Sequence, residues 1–402
     1  MNRILIAQQV ADAAAYGRPR GNLSDLYPRW LGARELLLHG RNPYSPEITR
    51  EIQQGYYGRA IDPGRPDDPR DEQGFAYPAY VVFLLAPTVG LPFDVVQAGF
   101  RWLLVGLAAV SVLLWLRVLG WRPSPGTALI FIVLMLGSLP MVQGIKLQQL
   151  SLLVAGMLAM CGACLAGGWL VCAGGLLAFA TIKPQLTWPL VVWLLVWAGS
   201  DWRSRRRFLI GFGVVMLLLL GGAQLLLPGW LPMFVHAIGQ YHQYTQNESE
   251  LSVLFGAFAG RTIGGLSVVA CAACIWPVRR QPAGSAAFGR AFALVLALTL
   301  VVIPMAALYN QVLLAPVILM LLYSESAGRP ILPAIRLARM VGGILLVWPW
   351  IATMGLTLAY FWLTPEIRQR VWPMPFYSNF MVPIIIFGLA LLDIRTSQPQ
   401  TA

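Results

Sequence analysis

The fold class of this chain is decided by two apolar runs, VGLAAVSVLLWL at residues 105–116 and LIGFGVVMLLLL at residues 209–220. With their apolar neighbours, these runs reach the roughly 20 residues that cross a bilayer as a helix. Neither run alternates polar and apolar positions, as the strands of an outer-membrane barrel do. Similar runs recur along the sequence, so we predict an all-α fold, a polytopic membrane helical bundle.

The composition of the whole chain agrees with this class. Of its 402 residues, 57% are hydrophobic and 11% are charged, whereas a soluble domain carries about a quarter charged residues. The net charge of +12 could indicate a nucleic-acid partner. Beyond the N-terminal segment, however, the arginines lie in short clusters between apolar runs, which is the placement that sets membrane topology. We therefore expect a lipid bilayer, and no nucleic acid, as a partner.

Eleven spanning helices are predicted from the apolar runs. Their approximate bounds are 95–117, 126–143, 148–166, 168–183, 186–200, 208–227, 255–277, 289–306, 309–323, 340–362 and 378–392. From Ala76 onward, 13 Lys and Arg residues fall on one face of this topology and 6 on the other, and the richer face is cytoplasmic. In the cell inner (plasma) membrane, residues 1–94 are then extracytoplasmic, residues 95–393 form the bundle and residues 394–402 form a cytoplasmic tail.

The predicted extracytoplasmic segment opens with a helical pattern. Residues 24–40, SDLYPRWLGARELLLHG, place apolar side chains at helical spacing, which predicts an amphipathic helix on the outer membrane surface. Ser24 or Asn22 can cap its start, and Gly40 can end it. Asp25 would lie in its first turn. Residue chemistry alone favours a structural role for this carboxylate, next to the helix dipole and paired with Arg29 four residues on.

The remainder of this segment is predicted to stay outside the bilayer. Residues 41–44, Arg-Asn-Pro-Tyr, form a turn that directs the chain back toward the membrane. Residues 77–91 are apolar but short and contain Pro78 and Pro87, so we predict a helix at the outer surface. An outward N-terminus needs an exporting segment, and residues 1–24 resemble neither a signal peptide nor a span. We therefore expect a further membrane helix ahead of residue 1.

Lysine is rare in this chain. Of the 29 Lys and Arg residues, two are lysines, Lys146 and Lys183. Both are predicted at the outer ends of spanning helices, beside the amides Gln148, Gln149 and Gln185. A compact ammonium in that place suits a phosphate held as a point charge. The alternative is that both side chains simply extend to the membrane interface. Lys183 is the first candidate for a phosphate ligand.

Further polar residues are predicted on the same outer face. Tyr309 and Asn310 belong to a tight outer hairpin, and His236 belongs to an aromatic-rich outer loop whose tyrosines can also be interface anchors. No HExxH or paired-histidine spacing occurs. We predict no cofactor, although a divalent metal is left open. No GxxxxGK[ST] motif occurs, and no acidic residue lies inside a predicted span, which argues against nucleotide-driven and ion-coupled carriers.

Four stretches of this sequence carry a resemblance to a known family. They are Asp25-Leu26-Tyr27 through Asn42-Pro43-Tyr44, Phe75-Ala76-Tyr77-Pro78 with Ala86-Pro87, LQQLSLL at residues 147–153, and Ile182-Lys183-Pro184. In their order and spacing, they resemble glycosyltransferase family 87. This family is related to the polyprenol-phosphate-mannose-dependent mannosyltransferases and has a GT-C type of membrane fold.

The resemblance implies a catalytic aspartate in the first outer loop, after an N-terminal membrane helix. Asp25 is then the expected general base for an acceptor hydroxyl. Lys183 is the first candidate to stabilise the leaving lipid phosphate, followed by Arg29 or Arg34 and then Lys146. The expected sugar and acceptor contacts are Asn42, Tyr44, Tyr77, Gln148, Gln149, Gln185, Tyr309, Asn310 and His236.

The resemblance also implies the reaction. A hexose, mannose-like, would pass from a polyprenyl-phosphate donor to a glycan, glycolipid or protein acceptor on the extracytoplasmic side, and one-step attack predicts inversion. Two alternatives from other classes are a lipid-linked saccharide flippase or transporter and a non-catalytic protein of envelope assembly. A transporter should need a central polar pathway and internal repeats, and the first-loop pattern has no second copy in this sequence.

Overall fold

The computed structural model describes residues 24–62, 64–65, 68–245, 248–304, 307–326 and 333–397. Within these residues the regular elements are helices and no strand is formed, so the predicted all-α class is confirmed. Asn22, which we considered as a helix cap, lies outside the described residues, as do residues 398–402 of the predicted tail.

The α-helices of the described residues follow one another along the whole chain. The first ten are α1 (Tyr27–His39), α2 (Pro46–Tyr57), α3 (Val81–Leu85), α4 (Phe93–Val118), α5 (Pro125–Gly137), α6 (Leu139–Leu147), α7 (Leu150–Ala166), α8 (Leu170–Ala180), α9 (Pro184–Gly199) and α10 (Trp202–Leu226). The others are α11 (Trp230–Thr245), α12 (Glu250–Phe255), α13 (Ala257–Ile275), α14 (Ala286–Val302), α15 (Ala315–Ser326), α16 (Pro333–Ala359), α17 (Pro365–Val371) and α18 (Val382–Ser397). Short 3-10 helices occupy Ala86–Thr88, Pro277–Arg280, Leu308–Leu314 and Met374–Phe376.

Several of these helices are suited to a membrane. In the described part of the chain, α4, α10, α13, the segment Leu308–Glu325 and α16 are each long and apolar enough to cross a bilayer. Helices α5 and α6 form a sixth such segment when taken together, with a bend of 59° between them. The chain is therefore a multi-pass membrane protein of the all-α class.

The remaining predicted spans contain helices that are shorter than a bilayer is thick. Helices α7, α8, α14 and the apolar part of α18 have between 10 and 17 residues, and α9 has 16. Helix α8 shows most clearly why a helix is shorter than its predicted span, which was 168–183. Gly168 has a left-handed φ of +77° before it, and Pro184 starts the next helix after it.

The described residues form two compact units. The described residues up to Val105, those of Gly144–Leu150 and those between Val214 and Asn247 form unit 1. Unit 2 takes in Gly106–Gln143, Ser151–Gly213 and the described residues from Glu248 onward.

The start of α1 differs from its prediction. The helix begins at Tyr27, with Leu26 at the N-cap and no side-chain cap, because Pro28 in the first turn has the φ that a helix start requires. Our expectation that Ser24 caps the helix and that Asp25 lies in its first turn is therefore wrong. Asp25 instead donates its backbone N–H to Leu147 O at 3.0 Å. The end of the helix was predicted correctly, since Gly40 closes it with a φ of +67°.

The predicted turn after α1 is confirmed. Asn42 Oδ1 accepts a hydrogen bond from Tyr44 N at 3.0 Å, and its backbone oxygen accepts one from Ser45 N at 3.1 Å. This is the local side-chain bond for which Asn is favoured in turns. Within residues 77–91, only α3 and the 3-10 helix Ala86–Thr88 are helical.

Helices α8 and α10 approach each other closely inside unit 2. A Cβ added to Gly174 of α8 would meet the backbone of Phe208 and lie 2.6 Å from Phe212 N. A Cβ added to Gly211 of α10 would meet the backbone oxygen of Val171. Small residues allow such backbone contact between membrane helices, so the pair of glycines fixes the distance between α8 and α10.

Gly211→Ala should therefore destabilise the protein, because a methyl group has to displace backbone atoms that cannot rotate away. We expect a loss of about 1–3 kcal/mol, the usual effect of overpacking, measured as a lower Tm in detergent. Gly213→Ala is the matched control, since a Cβ there meets nothing within 4 Å. An equal Tm for the two variants would contradict the proposed contact.

Candidate active site

The Asp25 carboxylate is held by two hydrogen-bond donors in unit 1. Tyr56 donates its hydroxyl to Asp25 Oδ1 at 3.0 Å, and Gln149 donates its Nε2 to Asp25 Oδ2. Tyr56 lies in the last turn of α2 and is only 1% exposed. Burial and the negative charge of Asp25 raise the pKa of Tyr56 well above its ordinary value, so its hydroxyl keeps the proton that it donates. The two donors therefore fix the orientation of the carboxylate.

A tight segment after α6 supports this arrangement. Gln148 has a left-handed φ of +47° and is fully buried. Its Oε1 accepts from Ser24 Oγ at 2.8 Å and from Gln97 Nε2 at 3.1 Å, and its Nε2 donates to the oxygens of Ile145 and Lys146. All of these bonds are internal, and they fix the backbone on which Gln149 is presented to Asp25.

Arg29 lies on α1 one turn beyond Asp25. Its Nη1 donates to the backbone oxygen of Asp25 at 2.9 Å, and its guanidinium lies 4.7 Å from the ring centre of Tyr77. Burial acts to lower the pKa of Arg29, but Tyr77 and Asp25 raise it, and the net pKa is above the ordinary value. Arg29 Nε is buried and has no hydrogen-bond partner among the described residues. A buried N–H donor of this kind can bind a further acceptor.

A second carboxylate, Asp71, is close enough to act electrostatically on this cluster. Burial raises the pKa of Asp71, while Arg29 lowers it and Asp25 raises it. Its two carboxylate oxygens accept from Gln73 N at 3.0 Å and Gln73 Nε2 at 2.7 Å. Burial, together with Asp71, also raises the pKa of Tyr241 on α11 to about 12. The cluster therefore combines two acids, one arginine and several protonated phenols.

Tyr44 and Asn42 make side-chain contacts within unit 1. The hydroxyl of Tyr44 donates to Tyr77 O at 2.6 Å. Asn42 Nδ2 contacts Met233 Sδ at 3.4 Å, while its Oδ1 forms the turn described above. Burial raises the pKa of Tyr77 to about 12. The polar groups of Tyr44 and Asn42 thus already take part in internal contacts.

Lys183 is buried in unit 2, at the N-cap of α9. Its Nζ donates to Ser151 Oγ at 2.7 Å, and Ser151 Oγ donates to Asn310 Oδ1 at 2.7 Å. The ammonium also lies 5.3 Å from the ring centre of Tyr309. Three of the predicted site residues, Lys183, Tyr309 and Asn310, are therefore brought together by tertiary contacts of unit 2.

Among the described residues, the side chains of the other predicted site residues make none of these hydrogen bonds. Arg34 lies on α1 with its guanidinium 5.4 Å from the ring centre of Trp30. Gln185 is half-buried in the first turn of α9, Lys146 is half-buried on α6, and His236 is exposed on α11.

Another buried acid in unit 2 has no counterpart in the sequence prediction. Glu250 is 3% exposed, and its Oε1 accepts from Gln311 Nε2 at 3.4 Å. Its Oε2 has no hydrogen-bond partner within the described residues. Burial raises the pKa of Glu250 to about 8, although the hydrogen bond from Gln311 opposes this rise. The folded chain therefore favours the neutral carboxylic acid.

This shift predicts a pH-dependent stability. The unfolded chain loses the Glu250 proton near pH 4.5 and the folded chain near pH 8. Between these values the folded state binds more protons, so stability should fall as the pH rises from about 4.5 to about 8. Glu250→Gln copies the neutral acid, and its Tm should fall less over this window. If Tm in detergent changed with pH equally in the wild type and the variant, the raised pKa of Glu250 would be contradicted.

Tyr56 is the main site residue that sequence reasoning missed. A signal was present in α2, where Ile48, Ile52 and Tyr56 repeat at helical spacing. Such a stripe indicates a buried face, and a buried tyrosine hydroxyl needs a partner. The partner itself could not be read from the sequence, because Asp25 is 31 residues away. In the described part of the chain, no three His, Cys, Asp or Glu side chains are grouped as metal ligands would be.

Comparisons with known proteins identify the family. Residues 75–304 match Glycosyltransferase family 87, a range that includes Tyr77, Gln149 and Lys183 but begins after Asp25. Neither the curated proteins nor the solved structures contain a match. The family predicted from the four sequence stretches is thereby confirmed. Because the matched range covers more than half of the 402 residues, this multi-pass membrane protein belongs to glycosyltransferase family 87 and is a membrane glycosyltransferase.

Proposed function

We propose that this glycosyltransferase moves a hexose, mannose-like, from a polyprenyl-phosphate donor to an extracytoplasmic glycan, glycolipid or protein acceptor. Asp25 is the general base, and the acceptor oxygen attacks the anomeric carbon as the bond to the lipid phosphate breaks. The acceptor proton passes to Asp25, and the electron pair of the broken bond leaves on the phosphate. A single displacement of this kind inverts the anomeric configuration.

The observation that carries this proposal is the fixed carboxylate of Asp25. Donors from α2 and from the segment after α6 hold one carboxylate oxygen each, so its orientation does not depend on solvent. A base that is positioned before the substrate arrives lowers the barrier through orientation as well as through proton transfer. A purely structural aspartate at a helix start would need only the backbone N–H groups of its own helix.

Two cations are proposed as phosphate ligands. Lys183 is the first, because an ammonium can neutralise the charge that develops on a leaving phosphate. Arg29 is the second, and its unpartnered Nε supports an anionic ligand. Arg34, which lies over Trp30, and Lys146 are weaker candidates.

The residues proposed to contact the sugar or the acceptor are Tyr77, Gln149, Gln185, Tyr309, Asn310 and His236. The internal contacts of Asn42, Tyr44 and Gln148 instead favour a role in shaping the site.

The test is a transfer assay on membranes that contain the protein. Membranes are incubated with a panel of labelled polyprenyl-phosphate sugars, and the products are analysed for the sugar, the acceptor and the anomeric configuration. We expect transfer from a polyprenyl-phosphate hexose with inversion. Transfer from a nucleotide sugar alone, or retention of configuration, would refute the proposal. Movement of a lipid-linked saccharide across the membrane without transfer would favour a flippase.

A further inference from the structure

The 3-10 helix Leu308–Leu314 of unit 2 carries two residues of the Lys183 cluster. The ring centre of Tyr309 lies 5.3 Å from Lys183 Nζ. Asn310 Oδ1 accepts from Ser151 Oγ, which in turn accepts from the same ammonium. Both contacts come from consecutive residues of one short helix. The geometry at Lys183 therefore depends on how this helix is held.

Seven residues is long for a 3-10 helix. Its hydrogen bonds have poorer geometry than those of an α-helix, and runs longer than about three or four residues are uncommon. The segment therefore needs support from side-chain contacts. Gln311, which follows Asn310, is buried and supplies two of them. Its Nε2 donates to the backbone oxygen of Asn379 at 2.8 Å and to Glu250 Oε1 at 3.4 Å.

Glu250 reaches Gln311 from the first turn of α12. A carboxylate in that place ordinarily favours the N–H groups of its own helix. In α12 the capping role belongs to Ser249, whose Oγ accepts from Ser252 N at 3.2 Å. The side chain of Glu250 is buried instead, and its partner Gln311 lies 61 residues away in the sequence. This contact joins α12 to the 3-10 helix.

The carboxyl group of Glu250 is costly to bury. Its Oε2 has no hydrogen-bond partner in the part of the chain that the structure describes, and an unpaired polar group inside a protein is unfavourable. Its raised pKa means that the acid is neutral at neutral pH. Buried acids with a shifted pKa concentrate at functional sites. The site that Glu250 reaches is the Lys183 cluster, through Gln311 and the neighbouring Asn310.

We propose that Glu250 is a positioning residue for the phosphate end of the donor. Through Gln311 it holds the 3-10 helix, which in turn holds Tyr309 and Asn310 against the Lys183 cluster. This inference rests on the proposed function, in which Lys183 binds the donor phosphate. It adds a residue that acts on donor binding without touching the substrate.

The first test measures how readily Lys183 becomes exposed, and it needs no sugar. The full chain in detergent is treated briefly with acetic anhydride, and acetylation of each lysine is followed by mass spectrometry of its peptides. Because the chain contains two lysines, Lys146 serves as the internal reference. Lys183 is buried, so it reacts when its surroundings open locally, and a lost contact makes such opening more frequent.

Glu250→Ala should raise the acetylation of Lys183 relative to Lys146 by about tenfold, the effect of one lost hydrogen bond. Glu250→Gln should stay within about twofold of wild type, because its amide oxygen can still accept from Gln311.

Two controls separate this effect from general loosening. Glu248→Ala removes an exposed acid two residues before Glu250 and should leave the acetylation ratio at the wild-type value. Gly211→Ala destabilises unit 2 at the contact of α8 with α10 and should leave the ratio unchanged as well. An unchanged ratio in Glu250→Ala, or an equal rise in Gly211→Ala, would overturn the proposal.

Gln311→Met covers the case in which Glu250→Ala does not fold. Met fills a similar space flexibly but lacks the amide that joins Glu250 to the 3-10 helix. Acetylation of Lys183 should rise at least about tenfold, because the bond to Asn379 is lost as well. A wild-type ratio in Gln311→Met would overturn the proposal.

The transfer assay separates this inference from the proposed function. With a polyprenyl-phosphate hexose, Glu250→Ala should raise the donor KM about tenfold and leave kcat and the acceptor KM within about twofold, as expected for a lost binding contact. A lower kcat with an unchanged donor KM would overturn the positioning role. Absent transfer by the wild type would refute the proposed function, and the acetylation ratio would still decide whether Glu250 supports the Lys183 cluster.

Discussion

Asp25→Asn should reduce the rate of sugar transfer by about 100-fold to 10,000-fold, the range that general-base catalysis contributes. An amide keeps the shape of the carboxylate, but it cannot take a proton from the acceptor hydroxyl. The fold should survive, because Tyr56 can still donate to the amide oxygen, and Gln149 can turn its side-chain amide so that its oxygen accepts from the new Nδ2. The measurement is kcat with the labelled polyprenyl-phosphate sugar, at protein levels matched to wild type.

Asp94→Asn is the matched control for Asp25→Asn. Asp94 is exposed in the first turn of α4, so this variant removes the same charge from unit 1 without touching the cluster, and kcat should stay at the wild-type level. Retained activity in Asp25→Asn would remove Asp25 from the mechanism. Saccharide transport that persists without sugar transfer in this variant would instead favour a carrier.

Lys183→Met should lower kcat/KM for the lipid-phosphate donor by about 100-fold, the usual effect of removing one group that stabilises developing charge. Met matches the length of Lys and packs flexibly in a buried place, and Ser151 keeps its bond to Asn310. The loss should therefore arise from the missing ammonium. It is measured as kcat/KM across donor concentrations, with Tm as the check on folding.

Lys183→Arg and Lys146→Met test whether the charge at Lys183 is the cause. Arg restores a cation but not the compact point charge, so we expect only part of the activity to return. Lys146 is half-buried on α6, and its replacement by Met should cost less than replacement of Lys183. If Lys183→Met lowered Tm but left kcat/KM intact, Lys183 would be structural and not a phosphate ligand.

Much of the local structure could be predicted from the sequence. The apolar runs give the all-α membrane class, because a backbone in lipid must satisfy its polar groups internally. The left-handed Gly40 and the turn at Asn42 are also local, since each depends on bonds within a few residues. The start of α1 was not predictable, because Pro28 and a distant contact at Leu147 outweigh the capping preference of Ser24.

The candidate site also has one part that the sequence predicted and another that depends on tertiary contacts. The sequence by itself determined the membrane class through its composition, and the family through the order of its motifs. It also singled out two residues with chemistry, Asp25 by its place in a motif and Lys183 because lysine is rare in this chain. Only the tertiary structure decided which side chains meet them: Tyr56 and Gln149 each pair with Asp25, Ser151 pairs with Lys183, and Asn310 pairs with Ser151. These pairs are separated by 31 to 159 residues, and such contacts are fixed by how the helices pack, which the preference of each segment for helix leaves undetermined.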